Sequence, residues 1–311
     1  MRVLITGGAG FLGSALANHL VSEGHHVRVI DDLSAGDPSA LNGRVLLTRG
    51  DVRDIPKLWT VLRDIDVVYH LAARVSVPES ILYPVEYNAV NTGGTVGLMT
   101  AMRDAGVGRV VMASSATIYG EQPAQPTRET AEPHPPNPYA VSKLAAEHYV
   151  RAIGGLYEIE TVILRIFNAY GPGQATPPAH APVIPKFIKR ALSGESVVVW
   201  GDGEQTRDYI HVDDVIMALA AAGEAEIADG TIINVGCGQE VSVNELTRKI
   251  GAAAKVEIYP LYNETQSGGI RRSVADITRA GELLGWEPQV SLDEGLQRLV
   301  MHFQQRICSV A

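Results

Sequence analysis

The feature that most constrains this chain stands at its start. The apolar, β-branched run Arg2–Thr6 passes directly into TGGAGFLG, with Gly7, Gly10 and Gly13 at three-residue spacing, and then into the apolar stretch Phe11–Ser22. A strand turns into a helix here within a few residues. The first glycine permits the tight turn, the second leaves bare backbone for a pyrophosphate, and the third allows helix and sheet to pack closely. The helix start adds free N–H groups and the positive end of its dipole. Glycine turns are common between strands and helices, so the cluster alone says little. Here an acidic residue, Asp31, follows at about the twenty-residue distance that a dinucleotide site requires.

The same alternation continues. His26–Asp31, Val45–Arg49, Val67–Leu71, Arg109–Ala113 and Thr161–Phe167 read as strands, and runs such as VVYHLA and RVVMAS are apolar enough for burial on both faces. Ile55–Arg63, Val85–Ala105 and Tyr139–Ile153 read as helices between them. The pattern predicts an α/β fold with a doubly wound parallel (Rossmann) sheet. After about residue 170 it changes. GPGQATPPAHAP reads as a loop over a cleft, followed by a helix (Val183–Ser193), a short strand (Ser196–Trp200), the polar turn GDGEQTRD and a helix from about Val212. Thr231–Val235 looks like a further buried strand able to rejoin the main sheet, and short helices follow near Asn244–Gly251, Asp276–Leu284 and Leu292–Gln305. The expected division is residues 1–170 with a return near 208–240, and a smaller, partly interleaved substrate domain over 171–311.

Composition narrows the partners. At 311 residues the chain has room for about two domains. Its 35 acidic against 26 basic residues leave a net charge of -9, which argues against a nucleic-acid surface. No apolar run approaches the ~18 residues of a membrane span, and glycines interrupt the N-terminal apolar stretch at once, unlike a signal peptide. Cys237 and Cys308 form no CxxC pair, and no metal site is expected among the scattered histidines. A cytoplasmic protein with a small-molecule partner is expected.

At the end of the second strand, the Asp31 carboxylate suits the two hydroxyls of an adenosine ribose and repels a 2′-phosphate. With Asp32 rather than a basic residue next to it, NAD is favoured over NADP. Asp51, in GDVRD after the third strand, is placed for the adenine rim; a helix N-cap role is nearly as good a reading. Tyr139 and Lys143, in YAVSK, are four residues apart on a helix and share a face. Of eleven tyrosines only Tyr139 has a lysine at that spacing. A nearby ammonium favours phenolate and would lower the tyrosine pKa toward working pH, allowing it to take a proton from a sugar hydroxyl. Ser115 ends the fifth strand at the carboxyl edge, where its hydroxyl could donate to a substrate oxygen, and Thr117 could reach the same group. Capping of the strand-to-loop turn is the alternative for both.

Taken in order, TGGAGFLG, HLAA, SSATIYG, NPYAVSK, LRIFNAYGP and TRDYIHVDD span nearly the whole chain. Together they resemble the extended short-chain dehydrogenases/reductases, and within them the nucleotide-sugar epimerase/dehydratase group, UDP-glucose 4-epimerase-like proteins above all. The resemblance implies tightly held NAD and a UDP-sugar substrate inverted at C4 through a transient 4-keto sugar. Tyr139 would be the acid–base group, Ser115 would steady the reacting oxygen, and Lys143 would hold the nicotinamide ribose. The implied cofactor contacts are Gly7, Gly10, Phe11, Leu12, Gly13, Asp31, Asp32, Leu33, Ser34, Gly36, Asp51, Val52, Leu71, Ala72, Ala73, Tyr139 and Lys143. On the substrate side they are Ser115, Thr117 and Tyr139, with Asn168 and Arg207 near the pyrophosphate and Val183 and Trp200 around the uracil. Tyr119 could support the nicotinamide loop.

One departure matters. Where the family commonly has R-x-G-D, this chain has Gln266-Ser267-Gly268-Gly269; Arg271 or Arg272 could replace the missing arginine, or could be surface charges only. Ala116 and Thr117 stand where 4,6-dehydratases carry an acidic pair, and Ala175 and Thr176 stand where uronic-acid enzymes tend to place an arginine. Both remain as alternatives of lower rank, as does an NAD-sensing scaffold without catalysis. Ser273 aligns with a gate beside the sugar, and its small side chain would admit an N-acetyl group. The helices Val85–Ala105 and Tyr139–Ile153 resemble those that pair in the family's homodimer.

Overall fold

A computed structural model describes residues 1–177, 181–226, 229–263, 265 and 269–310, apart from the side chains at 307–310. Seven strands (Arg2–Thr6, His26–Asp31, Leu46–Arg49, Val67–His70, Arg109–Ser115, Glu160–Ile166 and Thr231–Val235) form one sheet in which every neighbouring pair is parallel. Numbered along the chain, they lie in the order 7-6-5-4-1-2-3. The chain therefore starts in the middle, winds to one edge, and returns to wind toward the other. The reversal falls between the first and fourth strands, whose last residues Thr6 and His70 are register partners. A crevice opens at such a switch point, beyond the carboxyl ends of the strands.

Burial on both faces explains the apolar runs. Helices Phe11–Ser22 and Val212–Glu224 cover one face with Leu16, Leu20, Val215 and Leu219. Helices Ile55–Val61, Gly94–Ala105 and Pro138–Tyr157 cover the other with Leu58, Leu98, Met102, Ala146 and Val150. A separate apolar cluster joins helices Val183–Leu192, Val243–Ala254 and Leu292–Val310 through Ile184, Phe187, Ile188, Leu246, Ile250, Leu296 and Leu299. Short strands join this layer to the rest: Tyr209–His211 runs parallel to Asn168–Tyr170, and Thr206–Arg207 runs antiparallel to Val241–Ser242.

Several element boundaries differ from the sequence expectation. The single helix expected over 85–105 is three pieces: Pro84–Tyr87, a π-helical segment Asn88–Gly93 and Gly94–Ala105. The wide turn places the Asn91 amide on the main chain of Arg74, which a continuous α-helical pattern gives no reason to expect. Helix Pro138–Tyr157 is longer than expected because Asn137 caps it through Ala140 N–H and it ends only at Glu158, in left-handed conformation (φ +57). The strand expected from Ser196 begins at Val198. Thr206–Arg207, read as part of a polar turn, is a strand through tertiary pairing alone.

Candidate active site

The glycine turn is built from contacts that exclude side chains. Gly7 has φ +68, and a Cβ there would lie 2.7 Å from the Ala72 backbone. A Cβ on Gly13 would lie 2.1 Å from Gly7 O, so the third glycine sets the closeness of turn and helix. Gly10 differs. Within 4 Å its Cβ would meet only Gly7 O, at 3.2 Å, and it starts helix Phe11–Ser22 with no side-chain cap. The first-turn N–H groups that a capping side chain would take, those around Phe11, Leu12 and Gly13, are thereby left for a ligand. This cradle fits a dinucleotide pyrophosphate.

Asp31 closes the other end of the cradle. It is 8% exposed, and its oxygens accept Ala9 N–H at 2.9 Å and Leu33 N–H at 2.8 Å. These bonds fix the glycine turn to the second strand and hold Leu33 at φ +62, while each oxygen retains a lone pair for a ribose hydroxyl. Asp32 accepts Ser34 N–H and Oγ–H in a surface turn, and Gly36 packs on Ala9, its Cβ position 2.8 Å from that methyl. Asp51 lies two residues beyond the third strand. The helix that follows is capped by Asp54 instead, so the N-cap alternative for Asp51 fails. Asp51 binds Arg53 N–H and guanidinium, which hold its carboxyl below the usual range. Val52 is buried against Gly94. Leu71, Ala72 and Ala73 continue from the fourth strand, with Leu71 and Ala72 bonded to Thr6.

Tyr139 and Lys143 are both buried on one face of helix Pro138–Tyr157. Burial raises the Tyr139 pKa, and a hydrogen bond with Ser115 opposes it. Ser115 also caps the short turn Ala116–Tyr119, accepting Thr117 N–H at 3.2 Å and contacting Thr117 Oγ1 at 3.1 Å. The capping reading weighed for it is therefore met. The expected lowering of the Tyr139 pKa by Lys143 is not what this structure contains. The four-carbon stem carries Nζ to the strand, where it donates to Ala113 O at 2.7 Å, and burial pushes Lys143 itself down to about 8. Helical spacing fixes where the two stems start, not where an ammonium ends.

Other residues of the site left no motif in the sequence. Glu147, one turn beyond Lys143, is 2% exposed and paired with Arg165, which is 3% exposed. Glu147 Oε1 accepts Ser114 Oγ–H and Arg165 Nε–H, and Oε2 accepts Arg165 Nη2–H at 2.7 Å. The Arg165 guanidinium lies 4.7 Å from the Tyr119 ring centroid, and Tyr119 hydroxyl donates to Asn234 at 2.7 Å. The signal available was Glu147 at i+8 from Tyr139, on the same helix face. Tyr87 meets the Tyr139 ring edge-on at 6.5 Å.

Opposite this helix, Arg207 donates to the carbonyls of Thr206 and Ile270, both at 2.7 Å. Asn168 Nδ2 bonds Asp208 O. Asp208 is fully buried and accepts the N–H groups of Cys237, Gly238 and Ala275, binding two other segments to its own beside Arg207. Residues 206–208 run beside 271–273 through Thr206 N–H to Arg271 O and Asp208 N–H to Ser273 O. Arg271 is exposed and paired with Asp202, and Arg272 with Glu240. Val183 starts its helix against the C-terminal cluster, and Trp200 is half-exposed with Lys186 Nζ 5.7 Å from its ring centroid. Gln266, Ser267 and Gly268 lie outside the described residues. Cys237 is no nucleophile candidate, since burial pushes its thiol up to about 12. Among the described residues no three His, Cys, Asp or Glu side chains group as metal ligands, and no helix is long and apolar enough to cross a membrane.

Comparisons with known proteins agree with this geometry. A UDP-glucose 4-epimerase of Mycolicibacterium smegmatis is 39% identical over 314 residues, covering 98% of this chain and 99% of that one. The crystal structure of UDP-glucose 4-epimerase from Thermotoga maritima with UDP-glucose superposes with a TM-score of 0.94 at 36% identity, covering 99% of this chain and 100% of the other. A UDP-N-acetylglucosamine 4-epimerase from Methanobrevibacter ruminantium, in complex with UDP-N-acetylmuramic acid, gives 0.93 at 34% identity over 98% of each chain. The model of the NAD dependent epimerase/dehydratase family matches residues 3–236. With its parallel sheet, its glycine cradle and its buried tyrosine and lysine at one sheet edge, the chain belongs to the NAD dependent epimerase/dehydratase family.

Proposed function

We propose that the chain is a UDP-sugar 4-epimerase that interconverts UDP-glucose and UDP-galactose, with Tyr139 as its acid–base group. The observation that carries this reading is the burial of Tyr139 and Lys143 on one face of their helix, with Lys143 Nζ on Ala113 O of the strand that ends in Ser115. Bound NAD supplies a hydride acceptor that returns what it takes. The protein's part is positional and protonic. Ser115 aligns the sugar hydroxyl with Tyr139, which removes its proton and later returns one to the same oxygen, once the keto sugar has turned its other face. Burial raises the Tyr139 pKa, which favours the protonated phenol in the unliganded protein. The Lys143 ammonium, held beside Ala113 O, supplies positive charge at the same edge. Gly7, Gly10, Phe11, Leu12, Gly13 and Asp31 hold the cofactor, with Asp32, Leu33, Ser34, Gly36, Asp51 and Val52 toward its adenosine and Leu71, Ala72 and Ala73 along its wall. Thr117, Asn168, Val183, Trp200, Arg207 and Arg271 receive the nucleotide sugar, Arg207 as the phosphate partner. Released from Asp202, Arg271 would reach the same ligand.

Tyr139→Phe should abolish interconversion, by at least about 100-fold, while folding and retained NAD persist. Turnover surviving in that variant would overturn the assignment. We further assign breadth to Ser273, whose small side chain leaves room for an N-acetyl group, so UDP-GlcNAc and UDP-GalNAc also turn over. An unchanged ratio between the two substrate pairs in Ser273→Tyr would remove this part. The exposed Val141, Tyr149 and Leu156 on helix Pro138–Tyr157, with Ile81, Leu82 and Val85 on the short helices Val77–Leu82 and Pro84–Tyr87, suit a homodimer, which we place in the cytoplasm.

A further inference from the structure

His70, the last residue of the fourth strand, is 1% exposed and stands between two hydroxyls: Thr6 Oγ1 lies 2.7 Å from Nδ1 and Thr95 Oγ1 lies 2.8 Å from Nε2. The Thr95 hydroxyl gives its single proton to Asn91 O at 2.5 Å, so its oxygen must accept from His70 Nε2–H. Nδ1 is then bare and accepts the Thr6 hydroxyl, whose oxygen in turn receives Ala72 N–H at 3.3 Å. The result is one directed chain from Ala72 through Thr6, His70 and Thr95 to Asn91.

Both ends of that chain lie in the active site. Ala72 is the residue against which Gly7 closes. The Asn91 amide bonds the Arg74 carbonyl and Ser142 Oγ, both at 3.0 Å, and Ser142 Oγ–H donates to Tyr139 O at 2.8 Å. Thr92 reinforces the link by donating to Ser142 O.

We propose that His70 is a positioning residue: as the neutral Nε2–H tautomer it ties the glycine turn and the Ala72 wall to the Asn91 turn and, through Ser142, to the first turn of the Tyr139 helix. Cofactor cradle and acid–base tyrosine sit on different elements, and their alignment must hold within about 0.5 Å. A rigid ring that donates on one side and accepts on the other transmits that alignment; a protonated ring would donate on both sides and break it. Burial and the nearby Lys143 push the His70 pKa down to about 3, which keeps the ring neutral at working pH.

The inference rests on Tyr139 as the acid–base group, and its test separates the two. In the NAD-loaded protein, ¹⁵N spectra of the imidazoles should show His70 protonated at Nε2, bare at Nδ1 and unchanged between about pH 5.5 and 8. Thr6→Val and Thr95→Val keep side-chain shape but remove a link. Each should lower kcat by about 3- to 10-fold with little change in KM for UDP-glucose, and Thr→Ser at either position should restore it. The double variant should be little worse than the worse single, because one chain is cut twice. An Nδ1–H tautomer, a titrating His70, or valine variants that lose melting temperature with kcat intact would each overturn the proposal. Failure of the acid–base reading would show separately, as turnover surviving Tyr139→Phe.

Discussion

Replacing Glu147 by Gln should destabilise the protein and move its alkaline limit of activity together. Glu147 takes three hydrogen bonds, one from Ser114 and two from the Arg165 guanidinium, and both members of the ion pair are almost wholly buried. The amide removes the charge and sets an N–H₂ group against Arg165 donors, leaving a buried guanidinium without a counter-charge. Breaking a buried pair in this way costs about 3–5 kcal/mol. At about 2.1 cal/mol/K per residue, a chain of 311 residues unfolds with an entropy near 0.65 kcal/mol/K, so the melting temperature should fall by about 5–8 °C. Glu147 also holds Lys143 up against the burial that lowers it to about 8. In Glu147→Gln the ammonium is lost at lower pH, and the alkaline limb of the kcat/KM profile should move down. Removing both charges, as in Glu147→Leu/Arg165→Met, should recover most of the stability but leave the shifted limb. Calorimetry and a pH–rate profile on the same three proteins decide the matter. A melting temperature within about 2 °C of the parent for Glu147→Gln, or an unmoved alkaline limb, would refute the reasoning.

The glycine turn and Asp208 give further expectations. Gly10→Ala should fold, with a melting temperature within a few degrees of the parent, yet purify without NAD, because its Cβ meets only Gly7 O at 3.2 Å but fills the cradle. Gly13→Ala, whose Cβ would fall 2.1 Å from Gly7 O, should lose both stability and cofactor; equal behaviour of the two variants would contradict the geometry. Burial raises Asp208 from 3.8 to about 6, so the native state binds a proton that the unfolded chain has released. Its contribution to stability is therefore complete below about pH 4 and is lost as pH rises through about 6, by at most about 3 kcal/mol. Urea midpoints between pH 4 and 7 should show this slope in the parent and lose it in Asp208→Asn, and parallel curves would exclude Asp208 as its source. Asp31→Ala should release Ala9 and Leu33 and lower NAD retention, read from the absorbance of cofactor freed on denaturation.

Local pattern and tertiary structure divide this protein in a way that particular residues make clear. Arg2–Thr6, the glycines at 7, 10 and 13, Asp31 and the Tyr139/Lys143 pair were legible because their spacing is fixed by strand and helix periods and by the backbone freedom of glycine. The parallel sheet was legible for the same reason, since strands buried on both faces have little polar alternation to display. The π-helical turn at Asn91, the Glu147–Arg165 pair, the Asp208 hub and the His70 chain were not. Each depends on groups well separated in sequence, by 17 to 64 residues, meeting inside a dry interior. Lys143 marks the boundary. The sequence placed its stem on the face of Tyr139, and only the packed structure, by offering Ala113 O as an acceptor within reach, decided where the charge would rest. Sequence determines which chemistry the chain carries, because residue type and local spacing are chemical facts. Tertiary structure decides the protonation and alignment of those groups, because both follow from burial and from partners that only folding brings together.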